Sequence, residues 1–278
     1  LCDNFQKVYK NFKKEKIMIK VAVAGALGKM GKEVVKAVTN DPDCELVQAI
    51  DKFELGKDIG QIFCGKENGI LISDEINVNE KPDVVVDFTQ PSTIFENAKN
   101  YLKNGIAPVI GTTGLKPEQI EELKKLSEEN NVSCLIAPNF STGAVLMMKF
   151  AKEAAKYFNN AEIIELHHNQ KKDAPSGTAI KTAELMAEEN DCFTTGNCDE
   201  KETLTGARGA NGKSQIHIHS VRMPGYSASQ EVILGAAGQV LTIRHDTSDR
   251  ACYMNGVLLA VKHVYNNNDF IYGLDNIM

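Results

Sequence analysis

No Cys-x-x-Cys pair and no histidine at zinc-finger spacing occur anywhere in these 278 residues. The seven cysteines, an odd number, are scattered as Cys2, Cys44, Cys64, Cys134, Cys192, Cys198 and Cys252. That pattern speaks against a disulfide framework or a cysteine-built zinc module and suits a reducing cytosol. Cys192 and Cys198 are close enough in sequence for a clip or a soft-metal site, but two loop thiols are no ligand signature, and no metal is expected. Long apolar runs are missing too, so neither a membrane span nor the apolar stretch of a signal peptide is read; the opening LCDNFQKVYKNFKKEKI is Lys-rich instead. A cytoplasmic place is expected. There is no basic excess: the net charge of -6 argues against nucleic acid or an anionic membrane surface as partner. Any anionic ligand must therefore be met by locally placed donors. Internal repeats and low-complexity tracts are also lacking.

What is present is globular. Hydrophobic residues make up 42% and charged residues 24% of a chain long enough for two domains with separate cores. Met18 directly precedes the first strand pattern, so residues 1–17 are expected to be an extension without a structural role. From there IKVAVAG reads as a short buried strand ending in Gly, and GKMGKEVVKAVTN as a helix with Val34, Val35 and Val38 on one face. CELVQAID, PDVVVDFT, APVIGTT and SCLIAPN are further runs of parallel-strand character, separated by helical stretches. Alternating strand and helix predicts a doubly wound parallel sheet. After Asn139 the texture changes. A helix from about Ala144 to Phe158 precedes AEIIELHH, and SQIHIHSVRM and QEVILGAAGQVLTIRH read as antiparallel strands, with GAAG as a hairpin turn. A final helix, Arg250 to Val264, is followed by a short tail. The expected division is 18–138 plus 249–278 for one domain and 139–248 for the other.

Gly25-Ala26-Leu27-Gly28-Lys29-Met30-Gly31 lies where the first strand meets the first helix. Glycines there permit a tight turn and let backbone N–H groups and the positive helix end approach a pyrophosphate. Three glycines alone are a weak signal; their place at the first strand–helix junction is what points to a dinucleotide. Asp51 ends the second strand about 20 residues further on, where an acid accepts from the adenosine ribose hydroxyls and repels a 2′-phosphate. Lys52 beside it offsets part of that repulsion. NADH is therefore expected to be preferred, with NADPH tolerated. Two more strand ends, Gly111-Thr112-Thr113 and Ala137-Pro138-Asn139-Phe140, stand where parallel sheets bind ligands, although ordinary turns need no ligand.

The densest chemistry is Glu165-Leu166-His167-His168-Asn169-Gln170-Lys171-Lys172-Asp173-Ala174-Pro175-Ser176-Gly177-Thr178-Ala179. Adjacent histidines on a strand point to opposite faces and are poorly placed to share a metal. One can act as an acid while the other binds or orients, since His titrates nearest neutrality. Ser176-Gly177-Thr178 opens a helix, so free N–H groups and hydroxyls converge where a carboxylate could dock, with Lys171 as a nearby cation. The same segment also reads as a plain helix start with hydroxyl caps.

The run EIIELHHNQKKDAPSGTA resembles the signature E-x-H-H-x-x-K-x-D-A-P-S-G-T-A of the 4-hydroxy-tetrahydrodipicolinate reductase family, also called dihydrodipicolinate reductases, of lysine and diaminopimelate biosynthesis. The resemblance extends from VAVAGALGKMG through VVDFT, VIGTTG and APNFSTG to the terminal helix. It implies an α/β fold: a Rossmann-like doubly wound parallel sheet with an inserted α+β mixed-sheet domain for substrate and oligomerisation, a hinge, and a homotetramer. It further implies that the turn from Gly25 to Met30, Asp51, Lys52, Gly111 to Thr113 and Ala137 to Phe140 contact the dinucleotide. His167 and Lys171 would form the proton-donating pair, and His168, Gly177 and Thr178 would hold the substrate. Two departures stand out. Gln90 follows DFT where well-known members carry Arg, and Asp51-Lys52 replaces Glu-Arg, keeping the charges on shorter side chains. Another two-domain dehydrogenase of amino-acid pathways is disfavoured by the His-His-to-Thr178 run. A non-catalytic NAD-sensing module remains the alternative from a different class, because a dinucleotide fold alone does not imply function.

Overall fold

The computed structural model describes residues 18–194, 199–212 and 214–278. The extension at 1–17 and the Cys192/Cys198 pairing, through Cys198, lie outside the described residues. In chain order the elements are β1 (Ile19–Ala24), α1 (Gly31–Asn40), β2 (Cys44–Ile50), α2 (Ile59–Cys64), β3 (Ile72–Ser73), β4 (Val84–Asp87), α3 (Ile94–Lys103), β5 (Ala107–Ile110), α4 (Pro117–Asn130) and β6 (Cys134–Ile136). They continue with α5 (Thr142–Ala155), β7 (Asn160–His167), α6 (Gly177–Glu189), β8 (Ala210–Asn211), β9 (His217–Arg222), β10 (Ala228–Ala236), β11 (Gln239–Thr247), α7 (Met254–Asn266) and β12 (Phe270–Tyr272). No helix among the described residues is long and apolar enough to cross a membrane.

The first compact unit runs to Phe140 and includes Gly256–Ile277. Its seven strands are all parallel, in the order β12-β6-β5-β4-β1-β2-β3. β4, β5 and β6 are buried at every residue, because helices cover both faces and the strands need apolar side chains on each. α1 buries Val34, Val35 and Val38, the stripe expected from the sequence. The strand order reverses between β1 and β4, the place where open parallel sheets carry ligands. The tail expected after the last helix is instead β12, paired with β6 through Phe270–Cys134, Ile271–Leu135 and Tyr272–Ile136. Three residues are too few for a periodic signal, and only the neighbouring strand makes them one.

The second unit comprises Ser141–Asn255 with Met278. Its sheet has the order β11-β10-β7-β9-β8, and its core gathers Ile163, Met186, Ile216, Val232 and Leu234 with the alanines of α5 and α6. β10 is antiparallel to both β7 and β11, as expected. β9 is antiparallel to β8 but runs parallel to β7, because the connection between β7 and β9 passes through α6 as a crossover. The hairpin closes at Ala236–Gln239, so Ala237-Gly238 alone form the loop, with Gly238 at φ +76. The borders between the units fall after Phe140 and Asn255, where the sequence reading placed them after Pro138 and Ser248. A 3₁₀ turn at Arg250–Tyr253, capped by the Asp249 carboxylate accepting from Ala251 N at 2.7 Å, precedes α7 and packs on α5, which keeps it with the second unit.

Candidate active site

In the first unit the glycine turn is held by the sheet itself. Gly25 N and Ala26 N both donate to Ile50 O, at 2.9 and 3.1 Å, and Gly28 N donates to Gly25 O at 3.0 Å. Gly25 has φ +76, and a Cβ there would stand 2.6 Å from Phe88 O. A Cβ on Gly31 would collide with Gly25 O. These two positions accept no side chain, which is the glycine requirement of a turn that presses α1 against β1. Met30 caps α1 without a side-chain hydrogen bond, and Lys32 N, in its first turn, donates to Gly28 O at 3.0 Å.

A cavity of about 590 Å³ opens beside the turn, lined by Gly25, Leu27, Gly28, Asp51 and Lys52 among others. Asp51 binds the turn to its own strand end: Oδ2 accepts from Leu27 N at 2.9 Å, and Oδ1 accepts from Lys52 N at 2.8 Å and Phe53 N at 3.2 Å. Ala26 is buried and, with Lys29 and Met30, is not among the lining residues. Gln90 does line the cavity, so the position that departs from the family pattern stays within reach of a ligand. Sequence reasoning passed over Phe53, Asp74 and Glu75, which also line it. Asp74 and Glu75 follow β3, and only the pairing of β3 with β2 brings them beside Asp51.

The two other strand ends meet through Phe88. A Cβ on Gly111 would collide with the Phe88 ring, and that ring packs on Phe140 with centroids 5.8 Å apart. Ala137 and Phe140 are buried, Pro138 is exposed and Asn139 half-buried; none of the four lines the cavity. Nor do Gly111, Thr112 or Thr113. The Thr112 hydroxyl turns inward and donates to Asp87 Oδ1 at 3.2 Å. Asp87 is fully buried and also accepts from Thr89 N at 2.9 Å, Thr89 Oγ1 at 2.6 Å, Asn97 Nδ2 at 3.2 Å and Tyr101 OH at 3.0 Å. Burial first, then the Asp87 charge, raises the Tyr101 phenol and keeps it a donor.

In the second unit Glu165, His167 and Arg222 meet at the end of β7. Strand alternation puts Glu165 and His167 on one face. Glu165 has a side chain 0% exposed, which a carboxylate tolerates only when its oxygens are met by donors. Oε1 accepts from Arg222 Nη2 at 2.7 Å and from Ser176 N at 3.2 Å. Oε2 accepts from Arg222 Nη1 at 2.9 Å and lies 2.5 Å from His167 Nδ1. Burial raises the Glu165 carboxyl, but the bonds from Arg222, Ser220 and His167 outweigh it and hold the group below the ordinary carboxylate value. For His167 burial is the largest cause and lowers its pKa; Glu165 pulls the other way, and Lys171 and Arg222 add to the lowering.

Lys171 Nζ donates to both oxygens of Asp173 at 2.8 Å, and this bond holds Asp173 low. His168 lies beyond the strand, exposed, with Nδ1 accepting from Gln170 N at 3.3 Å. Ser176 caps α6 through Oγ, which accepts from Ala179 N at 3.2 Å. Apart from its chain neighbours and its own helix backbone, nothing lies within 4 Å of an added Cβ at Gly177, so the helix start is open to a ligand there; Thr178 beside it is half-buried. Thus His167, Lys171, Gly177 and Thr178 sit around one strand end and one helix start. The sequence reading had no reason to include Arg222, whose Nη2 also donates to Asp173 O at 2.8 Å. It lies on β9, and the parallel pairing His167–Arg222 is what delivers it.

Residues 19–140 match the family described as "Dihydrodipicolinate reductase, N-terminus", and residues 143–278 match "Dihydrodipicolinate reductase, C-terminus". A 4-hydroxy-tetrahydrodipicolinate reductase of Thermosynechococcus vestitus is 50% identical over 267 residues, covering 94% of this chain and 97% of that protein. The enzyme of the same name from Listeria monocytogenes is 51% identical over 263 residues, covering 94% of this chain and all of its own length, 100%. Among solved structures, a dipicolinate-bound dihydrodipicolinate reductase from Paenisporosarcina sp. TG-14 is 44% identical, with a TM-score of 0.83 over 94% of this chain and 100% of that one. An amine dehydrogenase from Mycobacterium smegmatis, at 14% identity and a TM-score of 0.64, shares the fold. With both halves matched, and relatives alike along almost the whole length, the chain belongs to the dihydrodipicolinate reductase family.

Proposed function

We propose that this protein reduces 4-hydroxy-tetrahydrodipicolinate to tetrahydrodipicolinate with NAD(P)H, in lysine and diaminopimelate biosynthesis. The observation that carries the reading is the bonded pair His167–Glu165 beside Lys171 and the open helix start at Gly177 and Thr178. The glycine turn and its cavity suit a dinucleotide, because side chains are excluded where a pyrophosphate must approach backbone. When bound, the nicotinamide would supply hydride to the electron-poor ring carbon that is conjugated with the substrate C=N once the 4-hydroxyl has departed as water. His167 supplies the proton to the neighbouring carbon, the task of a general acid. Lys171 compensates developing charge as a cation or serves as the second proton source. His168, Gly177 and Thr178 hold the substrate. The Lys171–Asp173 pair must open, or be shared, for a substrate carboxylate to reach Lys171.

NADH is the preferred cofactor and NADPH is tolerated. A carboxylate offers about four acceptor sites; Leu27 N, Lys52 N and Phe53 N occupy sites on Asp51, leaving one on Oδ2 for a ribose hydroxyl. Asp74 and Glu75 line the same cavity as Asp51, against Lys52, which favours a ribose without a 2′-phosphate. Beyond these residues, Ala26, Lys29, Met30, Gly111 to Thr113 and Ala137 to Phe140 are proposed to reach the dinucleotide through backbone groups. The scattered cysteines support a cytoplasmic place, and the net charge of -6 an existence apart from nucleic acid. β11 is an edge strand with Val240 69% and Leu241 39% exposed, an unpaired apolar border that supports assembly into a homotetramer.

The deciding experiment follows NADH and NADPH oxidation in parallel, with substrate formed in situ from pyruvate and aspartate semialdehyde by the preceding synthase. Oxidation with both cofactors, faster with NADH, is expected. Tight NADH binding without oxidation would instead identify a non-catalytic sensing module.

A further inference from the structure

The charges at the end of β7 form two balanced pairs with a titratable ring between them. Arg222 neutralises Glu165 and Lys171 neutralises Asp173, each at hydrogen-bond distance. His167 is the titratable ring bonded into these pairs, while His168 lies exposed beyond the strand end. The His167 ring is bonded through Nδ1 to Glu165, and its side chain is 16% exposed. The groups that face it are Glu165 on its own strand, Arg222 on β9, Lys171 and Asp173 in the following loop, and the backbone start of α6 at Ser176. Glu165, held ionised by Arg222, can only accept, so the proton between the two belongs to Nδ1. Nε2 is then the nitrogen that gains and loses a proton.

We propose that Glu165, gripped by Arg222, is a positioning residue that fixes the His167 ring with Nδ1 inward and thereby makes Nε2 the proton-delivering atom. The inference rests on the reading of His167 as the acid. In the transfer the Nε2–H bond breaks as a C–H bond forms at the carbon beside the hydride acceptor. The electron pair stays on Nε2, and the ring is left neutral with its Nδ1–H still on Glu165; water restores the proton afterwards. Arg222 acts one step back. Its fork engages both Glu165 oxygens and so limits rotation of the carboxylate, while its bond to Asp173 O holds the loop that carries Lys171. A merely structural ion pair between β7 and β9 would make no such demand on the ring.

The test is an NMR titration of the His167 ring in the full-length protein, together with kcat/KM as a function of pH. Glu165→Gln removes the anion that favours the protonated ring, so the His167 pKa should fall by about one unit or more, as for loss of an adjacent opposite charge. The alkaline decline of kcat/KM should move to lower pH by the same amount. Turnover should drop about tenfold or more, within the usual worth of a positioned acid. The Kd of NADH should stay within about twofold, since no group of the first unit is altered. Glu165→Gln leaves Arg222 buried without its counter-ion, so the double variant Glu165→Gln/Arg222→Gln provides a second folded comparison; the pKa should fall there too, because Glu165 outweighs Arg222 in its effect on the ring. A titration and pH profile identical to the parent in a folded variant would overturn the proposal, whatever the loss in melting temperature. Failure of the reductase reading would be seen separately, as absence of NADH oxidation by the parent protein, while the ring titration still reports on the pair.

Discussion

His167 and His168 are neighbours in sequence with opposite prospects. The first is tied to a buried carboxylate; the second is exposed beyond the strand end. His167→Gln is expected to lower turnover by about two orders of magnitude, the typical contribution of general acid catalysis, with NADH affinity retained. A His167→Gln protein with parental turnover in the stopped-flow assay would remove the residue from that role. For His168→Gln the change should lie in KM for the cyclic substrate, and an unchanged KM would contradict its place in substrate binding. The histidine pair, Lys171 and the Ser176-Gly177-Thr178 turn were all legible in the sequence, because they are contiguous. Arg222 was not, being 57 positions from Glu165 and brought close only by strand pairing. The same holds for Asp74 and Glu75, which carry no motif of their own.

The turn between β1 and α1 depends on a backbone that only glycine adopts easily. Gly25→Ala would place a methyl 2.6 Å from Phe88 O at φ +76. The left-handed conformation costs an L residue roughly 1–2 kcal/mol, and the clash with a backbone oxygen adds to it because neither strand end can retreat. Isothermal titration should show NADH binding lost, and circular dichroism a protein that melts earlier; parental affinity would mean that the turn does not hold the dinucleotide. The loop after β3 offers a complementary test. Asp74→Asn/Glu75→Gln removes two negative charges from the cavity wall, so kcat/KM with NADPH should rise several-fold relative to that with NADH. An unchanged ratio would leave discrimination to Asp51 and Lys52.

The strands β1, β2, β4, β5, β6 and β7 were read from their apolar runs, and α1 from its valine stripe, since period and composition are local properties. β3, β8 and β12, two or three residues each, were invisible for the same reason. The direction of β9 was also beyond local reading. HIHSVR alternates as well in a parallel pair as in an antiparallel one, and the crossover through α6 decided it.

Taken as a whole, the molecule should lose stability on acidification. Burial holds His167 and His245 below the ordinary histidine value of 6.5. As pH falls through 6.5 the unfolded chain takes up these protons first, so folding weakens from there downward. Glu165 stays low despite its burial, because Arg222, Ser220 and His167 bond the charged form. Its contribution is intact above the ordinary 4.5 and is lost as pH falls further, through its folded value. Melting temperature measured from pH 8 to pH 4 should therefore decline below about 6.5 and more steeply below 4.5. A melting temperature that rises on going from pH 7.5 to pH 5 would contradict this.

Composition and periodicity by themselves determined a two-part α/β chain with a glycine turn at its first strand–helix junction, and the contiguous run from Glu165 to Ala179 determined its family resemblance. These are local matters, written in neighbouring residues. Tertiary structure alone decided that Arg222 grips Glu165, that Asp74 and Glu75 join Asp51 at one cavity, and that Asp87 ties Thr112 to α3. Each of these joins strands or helices distant in sequence. A buried carboxylate finds its donors only where the fold brings them, because the charge cannot be left without partners.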